Sequence, residues 1–243
     1  MELIFKEQLN STNLYAKEHM SELNDMTFIY CNSQTNGKGR LDRVWVSNNP
    51  NNLYLTIVLK PQDEKFPYVN LTQYLCVVVS NLLKEYGVNP QIKWPNDILI
   101  NGKKIAGILA QTTTIGSKIN GVALGIGVNL NFDKEELSNI DKPATSLNLE
   151  TGNEINRDDF LKKLSVAFEK DYKEFSKKGF SFIERDYINQ ACFINKEIIV
   201  NTMTQSLCGT VKSLSDTGAL ILCDNKNNED IVITMGEIQW TKY

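Results

Sequence analysis

The fold assignment depends most on the stretch Gln34-Thr35-Asn36-Gly37-Lys38-Gly39-Arg40-Leu41-Asp42-Arg43-Val44-Trp45. Arginine is rare in this chain, and two of its four arginines, Arg40 and Arg43, lie here directly behind a Gly-x-Gly step. Glycine lets backbone N–H groups approach a ligand closely, and guanidinium groups match the oxygens of carboxylates and phosphates. The stretch therefore predicts a clamp for an anion that is attached to a flat group. The alternative is an ordinary surface loop with two solvated arginines.

Length, charge and hydropathy exclude several classes of protein. The 243 residues are enough for one large domain, or for one domain with a small appendage. A net charge of −3 and a pI near 5.4 argue against a nucleic-acid-binding surface, which normally requires a basic face. No apolar run approaches the roughly 18 residues of a membrane span, and the N-terminal segment does not have the pattern of a signal peptide. We therefore expect a cytoplasmic protein that binds neither DNA nor a membrane.

The chain is poor in the residues of common catalytic and metal sites. Its five cysteines are widely spaced, without a Cys-x-x-Cys pair, and His19 is its only histidine. This pattern argues against a disulfide framework, a zinc site and the nucleophile–histidine pairs of hydrolases. The chemistry must therefore use lysine, arginine, carboxylates, amides and a bound hard cation.

Apolar periodicity predicts mixed helices and strands, followed by a change of character near residue 192. Expected helices run from Ser11 or Thr12 to about Leu23 and over residues 69–86 and 157–177. Expected strands cover residues 26–31, 53–59, 98–100, 105–111 and 118–131, with Asn101-Gly102 as a hairpin turn. Four or five short strands in the last 50 or so residues predict a small barrel.

Lys93-Trp94-Pro95-Asn96-Asp97 is the second informative motif. Pro95 cannot donate to a sheet and keeps the preceding residue extended. A strand therefore ends here and presents Asn96 and Asp97 at its end, where ligands are often held. The alternative is a strand-terminating turn, since Pro-Asn-Asp is also favourable turn chemistry.

Two further motifs place glycine inside predicted strands. Lys104 begins the return strand of the Asn-Gly hairpin, with Gly107 three residues later, and Gly125 and Gly127 lie in the strand over residues 118–131. Because glycine weakens a strand, these positions indicate where a flat ligand lies against the sheet. A Rossmann site is excluded because Gly-x-Gly-x-x-Gly is incomplete, and no Walker A pattern exists. Lys104 taken alone is more simply a solvated surface lysine.

Taken in order, these motifs resemble those of the biotin–protein ligases. The matching residues are Ser11-Thr12-Asn13, Gln34, Gly37-Lys38-Gly39-Arg40, Arg43-x-Trp45, Lys93-Trp94-Pro95-Asn96-Asp97, Lys104-Ile105-Ala106-Gly107 and Gly127-x-Asn129. The resemblance implies an α+β fold. A class II aminoacyl-tRNA synthetase-like catalytic domain with a mixed sheet and helices would cover residues 1–192, and a small SH3-like β-barrel would cover residues 193–243.

The resemblance also implies a two-step reaction: biotin and ATP, with Mg²⁺, give biotinyl-5′-AMP, and biotin then passes to a lysine of a biotin carboxyl carrier protein. The implied catalytic residues are Arg40, Lys104 and Asp97. The implied biotin-binding residues are Ser11, Thr12, Asn13, Gln34, Gly37, Lys38, Gly39, Arg40, Lys104, Gly107 and Gly127. The implied ATP- or adenylate-binding residues are Arg40, Arg43, Trp45, Asn96, Asp97, Lys104 and Asn129. No protein cage for a metal is expected, and Mg²⁺ would enter with ATP, with Asp97 as its candidate neighbour.

Three positions depart from the usual pattern of that family. Lys38 replaces the first arginine of Gly-Arg-Gly-Arg, Asp42 stands where glycine is common, and Asn10 precedes Ser-Thr-Asn where aspartate is usual. Lysine lacks the planar fork of arginine, so Lys38 would hold an adenylate differently. Because the motifs begin at Ser11, we expect a monofunctional enzyme without the DNA-binding domain of bifunctional members.

Two alternatives remain at this point. The first is a lipoate–protein ligase, whose histidine-containing pocket motif is missing here. The second is a non-catalytic module that recruits a partner through its C-terminal strands. Oligomeric state has no signature in the sequence, so a homodimer is left open.

Overall fold

A seven-stranded mixed sheet and a five-stranded antiparallel sheet form the framework of the protein. The computed structural model describes residues 2–63 and 65–241, so the outermost residues of the two predicted domains, Met1, Lys242 and Tyr243, lie outside the described residues. The strands are β1 Glu2–Leu9, β2 Thr27–Gln34, β3 Leu53–Leu59, β4 Gln91–Lys93, β5 Asp97–Ile100, β6 Lys103–Ile115, β7 Lys118–Val128, β8 Glu197–Asn201, β9 Ser206–Leu214, β10 Leu220–Asp224, β11 Asp230–Ile233 and β12 Glu237–Trp240. The helices are α1 Thr12–Glu18, α2 Leu71–Lys84, α3 Lys134–Ser138, α4 Leu147–Thr151, α5 Arg157–Lys178 and α6 Phe180–Gln190, with short 3-10 helices at Arg40–Asp42 and Tyr68–Asn70.

The large sheet has the strand order β1-β2-β3-β7-β6-β5-β4. The β1–β2 pair is parallel and the other pairs are antiparallel, so the sheet is mixed. Asn101 and Gly102 join β5 to β6 with φ angles of +50° and +75°. Positive φ at both central residues is what a two-residue hairpin turn of this kind requires, and the predicted hairpin is confirmed.

Helices cover both faces of the large sheet. α2 packs with α5 and α6 on one face, where Tyr74 stacks on Phe175 with ring centroids 4.3 Å apart. α1 lies on the opposite face, over a smaller apolar cluster that includes Ala123 of β7. Gly125 and Gly127 point to the same face as Ala123, because side-chain directions alternate along a strand. Since α1 is short, the sheet around these glycines is left to form the floor of a cavity.

The five-stranded sheet, with the order β11-β10-β9-β8-β12, lies against α2 and the end of β4 and shares one continuous apolar core with them. The carbonyl O of Gly218 accepts hydrogen bonds from Gln73 Nε2 at 2.9 Å and from Trp94 Nε1 at 3.2 Å. Gly218 has φ +76°, and a Cβ there would lie 2.7 Å from Gln73 Oε1. This close contact therefore requires glycine. Closure of the five strands into a barrel stays a prediction.

Several elements differ from the sequence expectation. α1 ends at Glu18, not near Leu23, because the next residues form turns in which Leu23 N bonds back to the carbonyl of His19. β1 was not predicted, since an edge strand with one partner needs no continuous apolar pattern. α6 was also missed; it follows α5 directly across Gly179, which has φ +60° and ends the longer helix. Within the described ranges, no helix is long and apolar enough to cross a membrane.

Candidate active site

One cavity of about 540 Å³ collects the predicted motifs. Of the predicted site residues, those that line it are Ser11, Thr12, Asn13, Gln34, Lys38, Gly39, Arg40, Arg43, Trp45, Asn96, Asp97, Lys104, Gly107, Gly127 and Asn129. Gly37 lies behind this lining, in the segment of residues 37–45 that we call the glycine loop. Its carbonyl accepts a hydrogen bond from Trp45 N at 2.9 Å, and a Cβ on Gly37 would lie 2.6 Å from the carbonyl O of Trp45. Gly37 therefore lets the loop fold back on itself.

We call one side of the cavity the amide end; it is formed by Ser11, Thr12, Asn13 and Gln34. Ser11 is the N-cap of α1, which explains why a serine begins this helix. The backbone N–H and the hydroxyl of Thr12 both donate to Gln34 Oε1, at 2.8 and 3.2 Å, and Gln34 Nε2 donates to Ser47 Oγ at 2.9 Å. Thr12 and Asn13 are buried. The amide end is therefore fixed by hydrogen bonds within the protein.

Asn13 is the most constrained residue of the amide end. Its Oδ1 accepts a hydrogen bond from Thr56 Oγ1 at 2.6 Å, and its Nδ2 donates to the carbonyl O of Leu109 at 3.2 Å. A Cβ on Gly125 would lie 2.2 Å from Asn13 Oδ1. Gly125 therefore leaves room for the side chain of Asn13, and it also lines the cavity.

The flat group that lies on Gly107 and Gly127 is the indole of Trp45. A Cβ on Gly127 would lie 2.2 Å from Trp45 Nε1, and one on Gly107 would lie 2.9 Å from Trp45 Cζ3. The ring also packs under Lys104, whose Nζ is 5.1 Å from the ring centroid. The Nε1 group is buried without a hydrogen-bond partner among the described residues. These two glycines therefore leave room for the tryptophan ring, and they line the cavity beside it.

The opposite side of the cavity is the cationic end, which contains Arg40, Arg43, Lys93, Lys104 and Lys142 together with the carboxylates of Asp97 and Glu237. Lys104 Nζ lies 2.6 Å from Asp97 Oδ1, across the β5–β6 hairpin. The neighbouring Lys103 is exposed. Adjacent strand residues point to opposite faces, so only Lys104 reaches the cavity.

Arg40 joins three separate parts of the chain. Its Nη1 donates to Asn96 Oδ1 at 3.1 Å and its Nη2 donates to the carbonyl O of Gly236 at 3.0 Å. Asn96 is itself fixed, because its Nδ2 donates to the carbonyl O of Ile108 at 2.6 Å. Burial lowers the pKa of Arg40, and the nearby carboxylates of Asp97 and Glu237 oppose that change. The guanidinium is therefore a partly desolvated charge in a defined position.

Sequence reasoning missed Lys142 and Glu237 and left Lys93 without a role. Glu237 makes a two-pronged ion pair with Arg43 and accepts a hydrogen bond from Lys142 Nζ at 3.0 Å. The bonds from Arg43, assisted by those from Lys142, lower the pKa of Glu237 to about 2. Lys93 Nζ lies 5.7 Å from the ring centroid of Trp240, and burial lowers the pKa of this lysine. For these three residues, the only local sequence signal of a place in the site was the position of Lys93 in the second motif.

Asn129 connects the end of β7 to the segment that closes the cavity. Its Nδ2 donates to the carbonyl O of Thr145 at 3.0 Å, and its own carbonyl accepts from Leu147 N at 2.9 Å. The side chain is only 3% exposed. Asn129 therefore positions the residues between α3 and α4, in addition to lining the cavity.

The arrangement suits a reaction between anions. Arginine and lysine side chains at the cationic end can stabilise negative charge that develops during a reaction. All five cysteines are free, and His19 lies outside the cavity lining. The cavity thus offers fixed charge and hydrogen bonds.

Comparisons with known proteins agree on one family. The model of the biotin/lipoate A/B protein ligase family matches residues 5–129. A bifunctional ligase/repressor BirA from Bacillus subtilis is 32% identical over 236 residues, which cover 94% of this chain and 71% of that protein. A biotin--[acetyl-CoA-carboxylase] ligase from Paracoccus denitrificans is 32% identical over 219 residues, which cover 88% of this chain and 90% of that protein.

A solved structure supports the fold. The biotin protein ligase from Aquifex aeolicus, in complex with biotin and ATP, superposes with a TM-score of 0.85 over 99% of both chains at 24% identity. At this identity the likeness shows the fold alone. It confirms the predicted α+β architecture with a mixed sheet and helices.

Proposed function

Because this chain belongs to the biotin/lipoate A/B protein ligase family, we propose that it is a biotin–protein ligase. It activates biotin with ATP to biotinyl-5′-AMP and transfers the biotinyl group to a lysine of a biotin carboxyl carrier protein. The observation that carries the proposal is a single cavity in which an end of fixed amide and hydroxyl groups adjoins an end of arginines and lysines. Relatives named as biotin ligases support biotin as the acid that is activated.

The first step brings two anions together. The carboxylate of biotin attacks the α-phosphorus of ATP, an anhydride bond forms, and pyrophosphate leaves with the electrons of the broken P–O bond. Fixed positive charge at the reacting oxygens is the main catalytic demand. We assign this role to Arg40 and Lys104, with Lys38 and Arg43 as further cations in the cavity lining.

Mg²⁺ fits here as a companion of ATP. Among the residues that the structure describes, no group of three or more His, Cys, Asp or Glu side chains could hold a metal ion. Mg²⁺ is commonly held by one or two carboxylates together with phosphate oxygens and water, and Asp97 offers such a carboxylate in the cavity lining. When bound, the ion adds positive charge to the phosphates.

The two ends of the cavity divide the ligand between them. Hydroxyl and amide groups of the amide end can both donate and accept hydrogen bonds, which suits the ureido ring of biotin. We assign biotin binding to Ser11, Thr12, Asn13, Gln34, Gly37, Lys38, Gly39, Arg40, Lys104, Gly107 and Gly127. We assign ATP or adenylate binding to Arg40, Arg43, Trp45, Asn96, Asp97, Lys104 and Asn129.

The second step needs a lysine amine of the carrier protein. The amine attacks the carbonyl carbon of the mixed anhydride, an amide bond forms, and AMP leaves. Asp97 lies beside Lys104 in the cavity and is the carboxylate that could orient or deprotonate this amine. An equally open role for Asp97 is placement of the adenylate or the ion.

The finer structural assignments belong to the same proposal. The first 192 residues form a class II aminoacyl-tRNA synthetase-like catalytic domain, and residues 193–243 form an SH3-like domain. The contact of Arg40 with Gly236 supports a contribution of the second domain to the site. A cytoplasmic location and the lack of a DNA partner stay predictions from composition, and a homodimer remains open.

Transfer to a carrier protein tests this function. The purified protein is incubated with ATP, Mg²⁺ and an apo carrier protein, with biotin in one reaction and lipoate in the other. The intact mass of the carrier should rise by one biotinyl group with biotin and stay unchanged with lipoate. A carrier whose acceptor lysine is replaced by arginine is the control. Lipoylation of the carrier, or no modification at all, would contradict the proposal.

A further inference from the structure

An ion-pair cluster forms one side of the cationic end. The Glu237 carboxylate makes a two-pronged pair with the Arg43 guanidinium and also binds Lys142 Nζ at 3.0 Å. The three residues come from the glycine loop, the segment before α4 and the start of β12, and all of them line the cavity. The side chains of Arg43 and Lys142 are 50% and 59% exposed, whereas that of Glu237 is 24% exposed. The two cations are therefore accessible from solvent around the carboxylate that joins them.

Neighbours of Glu237 contact further cations of the cavity. The carbonyl O of Gly236 accepts a hydrogen bond from Arg40, and the ring of Trp240 lies beneath Lys93. Glu237 differs from these two neighbours because it carries a full negative charge. The start of β12 thus presents an anion of the protein to the end of the cavity that must bind the phosphates of ATP.

We propose that Glu237 is an internal stand-in for the pyrophosphate end of ATP, which displaces it from Arg43 and Lys142. This inference rests on the proposed function and deepens it. A carboxylate and a phosphate present a similar pair of oxygens to the guanidinium fork, so the same Arg43 geometry serves both. Pyrophosphate carries more negative charge than one carboxylate, and Lys142 as a compact cation suits the additional oxygens.

Displacement of Glu237 has two consequences for the reaction. It removes the contact of Arg43 with β12 and leaves the hydrogen bond from Arg40 to Gly236, so entry of ATP is coupled to movement of the Arg43 part of the glycine loop. After biotin has been activated, return of Glu237 to Arg43 and Lys142 competes with the departing pyrophosphate and favours its release. Ion pairs as exposed as these stabilise a fold only weakly, which allows such an exchange.

Binding of inorganic pyrophosphate tests the inference without biotin. Titration calorimetry compares the wild-type protein with Glu237→Gln, Lys142→Gln and Arg43→Gln. Glu237→Gln removes the competing charge, so pyrophosphate should bind about two- to fivefold more tightly, the range expected from loss of a partly exposed ion pair. Lys142→Gln and Arg43→Gln should weaken binding by a similar factor. Asp230→Asn is the matched control, because it breaks the exposed pair with Lys212 on the same sheet and should leave binding unchanged.

Two results would overturn the inference. The first is unchanged or weaker pyrophosphate binding by folded Glu237→Gln. The second is unchanged binding by Lys142→Gln, a substitution of an exposed side chain that keeps the test informative if the first variant fails to fold. The proposed function is judged separately: wild-type protein that binds pyrophosphate but never biotinylates a carrier would contradict the function and leave the displacement of Glu237 standing.

Discussion

The amide end and the cationic end of the cavity are held together in different ways. At the amide end, Thr12, Asn13 and Gln34 are tied by hydrogen bonds to one another and to the strands beneath them. At the cationic end, Arg43 and Glu237 meet across a partly exposed ion pair that joins the glycine loop to the C-terminal sheet. The first arrangement lies within the large sheet and α1, whereas the second joins the glycine loop to the C-terminal sheet.

This difference indicates how the two ends divide the work. Groups that are fixed by hydrogen bonds within the protein are costly to rearrange, so the amide end is a preformed recognition surface. Exposed ion pairs exchange their partners readily, so the cationic end can accept a charged group and release it again. A ligase that holds one substrate through two steps and expels pyrophosphate between them needs both kinds of surface.

The largest effect is expected at the cationic end for Lys104→Ala. This change removes a cation that is fixed by Asp97 and Trp45, and loss of such a preorganised group typically lowers a rate by roughly 10²–10³. We expect a loss near the upper end of that range in the rate of biotinyl-5′-AMP formation. Lys103→Ala is the matched control and should change the rate by less than about twofold, because its side chain is exposed. Equal losses in both variants would contradict the assignment of Lys104.

Arg40→Ala should lower adenylate formation by about 10², with a smaller effect on folding. The guanidinium loses its bonds to Asn96 and Gly236, and Asn96 keeps its bond to the backbone. Pyrophosphate release in the presence of biotin and ATP measures the rate, and thermal unfolding checks the fold. Pyrophosphate release at the wild-type rate would contradict the assignment of Arg40.

Gly125→Ala tests the amide end and should act on biotin more than on ATP. The added Cβ would lie 2.2 Å from Asn13 Oδ1, so the asparagine must move or the strand must shift. Overpacking of this kind typically costs about 1–3 kcal/mol, which corresponds to roughly a thirtyfold loss of biotin affinity at the middle of that range. Calorimetric titrations with biotin and with ATP provide the comparison. Equal losses for the two ligands would mean that the ends are not independent.

The smallest effect concerns the pH dependence of stability at the cationic end. Bonds from Arg43 and Lys142 lower the pKa of Glu237 from 4.5 to about 2. A carboxyl group whose pKa is lowered by folding adds stability that is fully present above its unfolded value and is lost as the pH falls through its folded value. The difference in free energy of unfolding between wild type and Glu237→Gln, under about 1 kcal/mol, should therefore shrink below about pH 4.5. Urea unfolding at several pH values measures this difference in free energy. A difference that grows on acidification would contradict the pairing of Glu237 with Arg43 and Lys142.

Local chemistry made part of this structure predictable. The Asn101-Gly102 hairpin needs positive φ at two residues, and Ser11 begins a helix because its hydroxyl can cap it. Such requirements act within a few residues and can be recognised in the sequence. The family resemblance also indicated Lys104 as a residue of the site.

Long-range contacts were not predictable in the same way. Glycines in β6 and β7 indicated a flat group on the sheet, but nothing in the sequence specified that Trp45 is that group. Glu237 and Arg43 are far apart in sequence. Their ion pair becomes evident only when the C-terminal sheet is placed against the glycine loop. The Gly218 turn under Trp94 depends on the same placement.

Formation of the adenylate in the absence of any carrier protein tests the central claim most directly. The purified protein is mixed with biotin, ATP and Mg²⁺, and the released pyrophosphate is quantified. The protein is then separated from free small molecules, and its bound ligand is identified by mass spectrometry. We predict biotinyl-5′-AMP retained by the protein, with one pyrophosphate released for each adenylate formed. Lipoate in place of biotin should give neither product. A protein that binds biotin yet forms no adenylate, or one that forms the lipoyl adenylate instead, would contradict the claim that this cavity activates biotin.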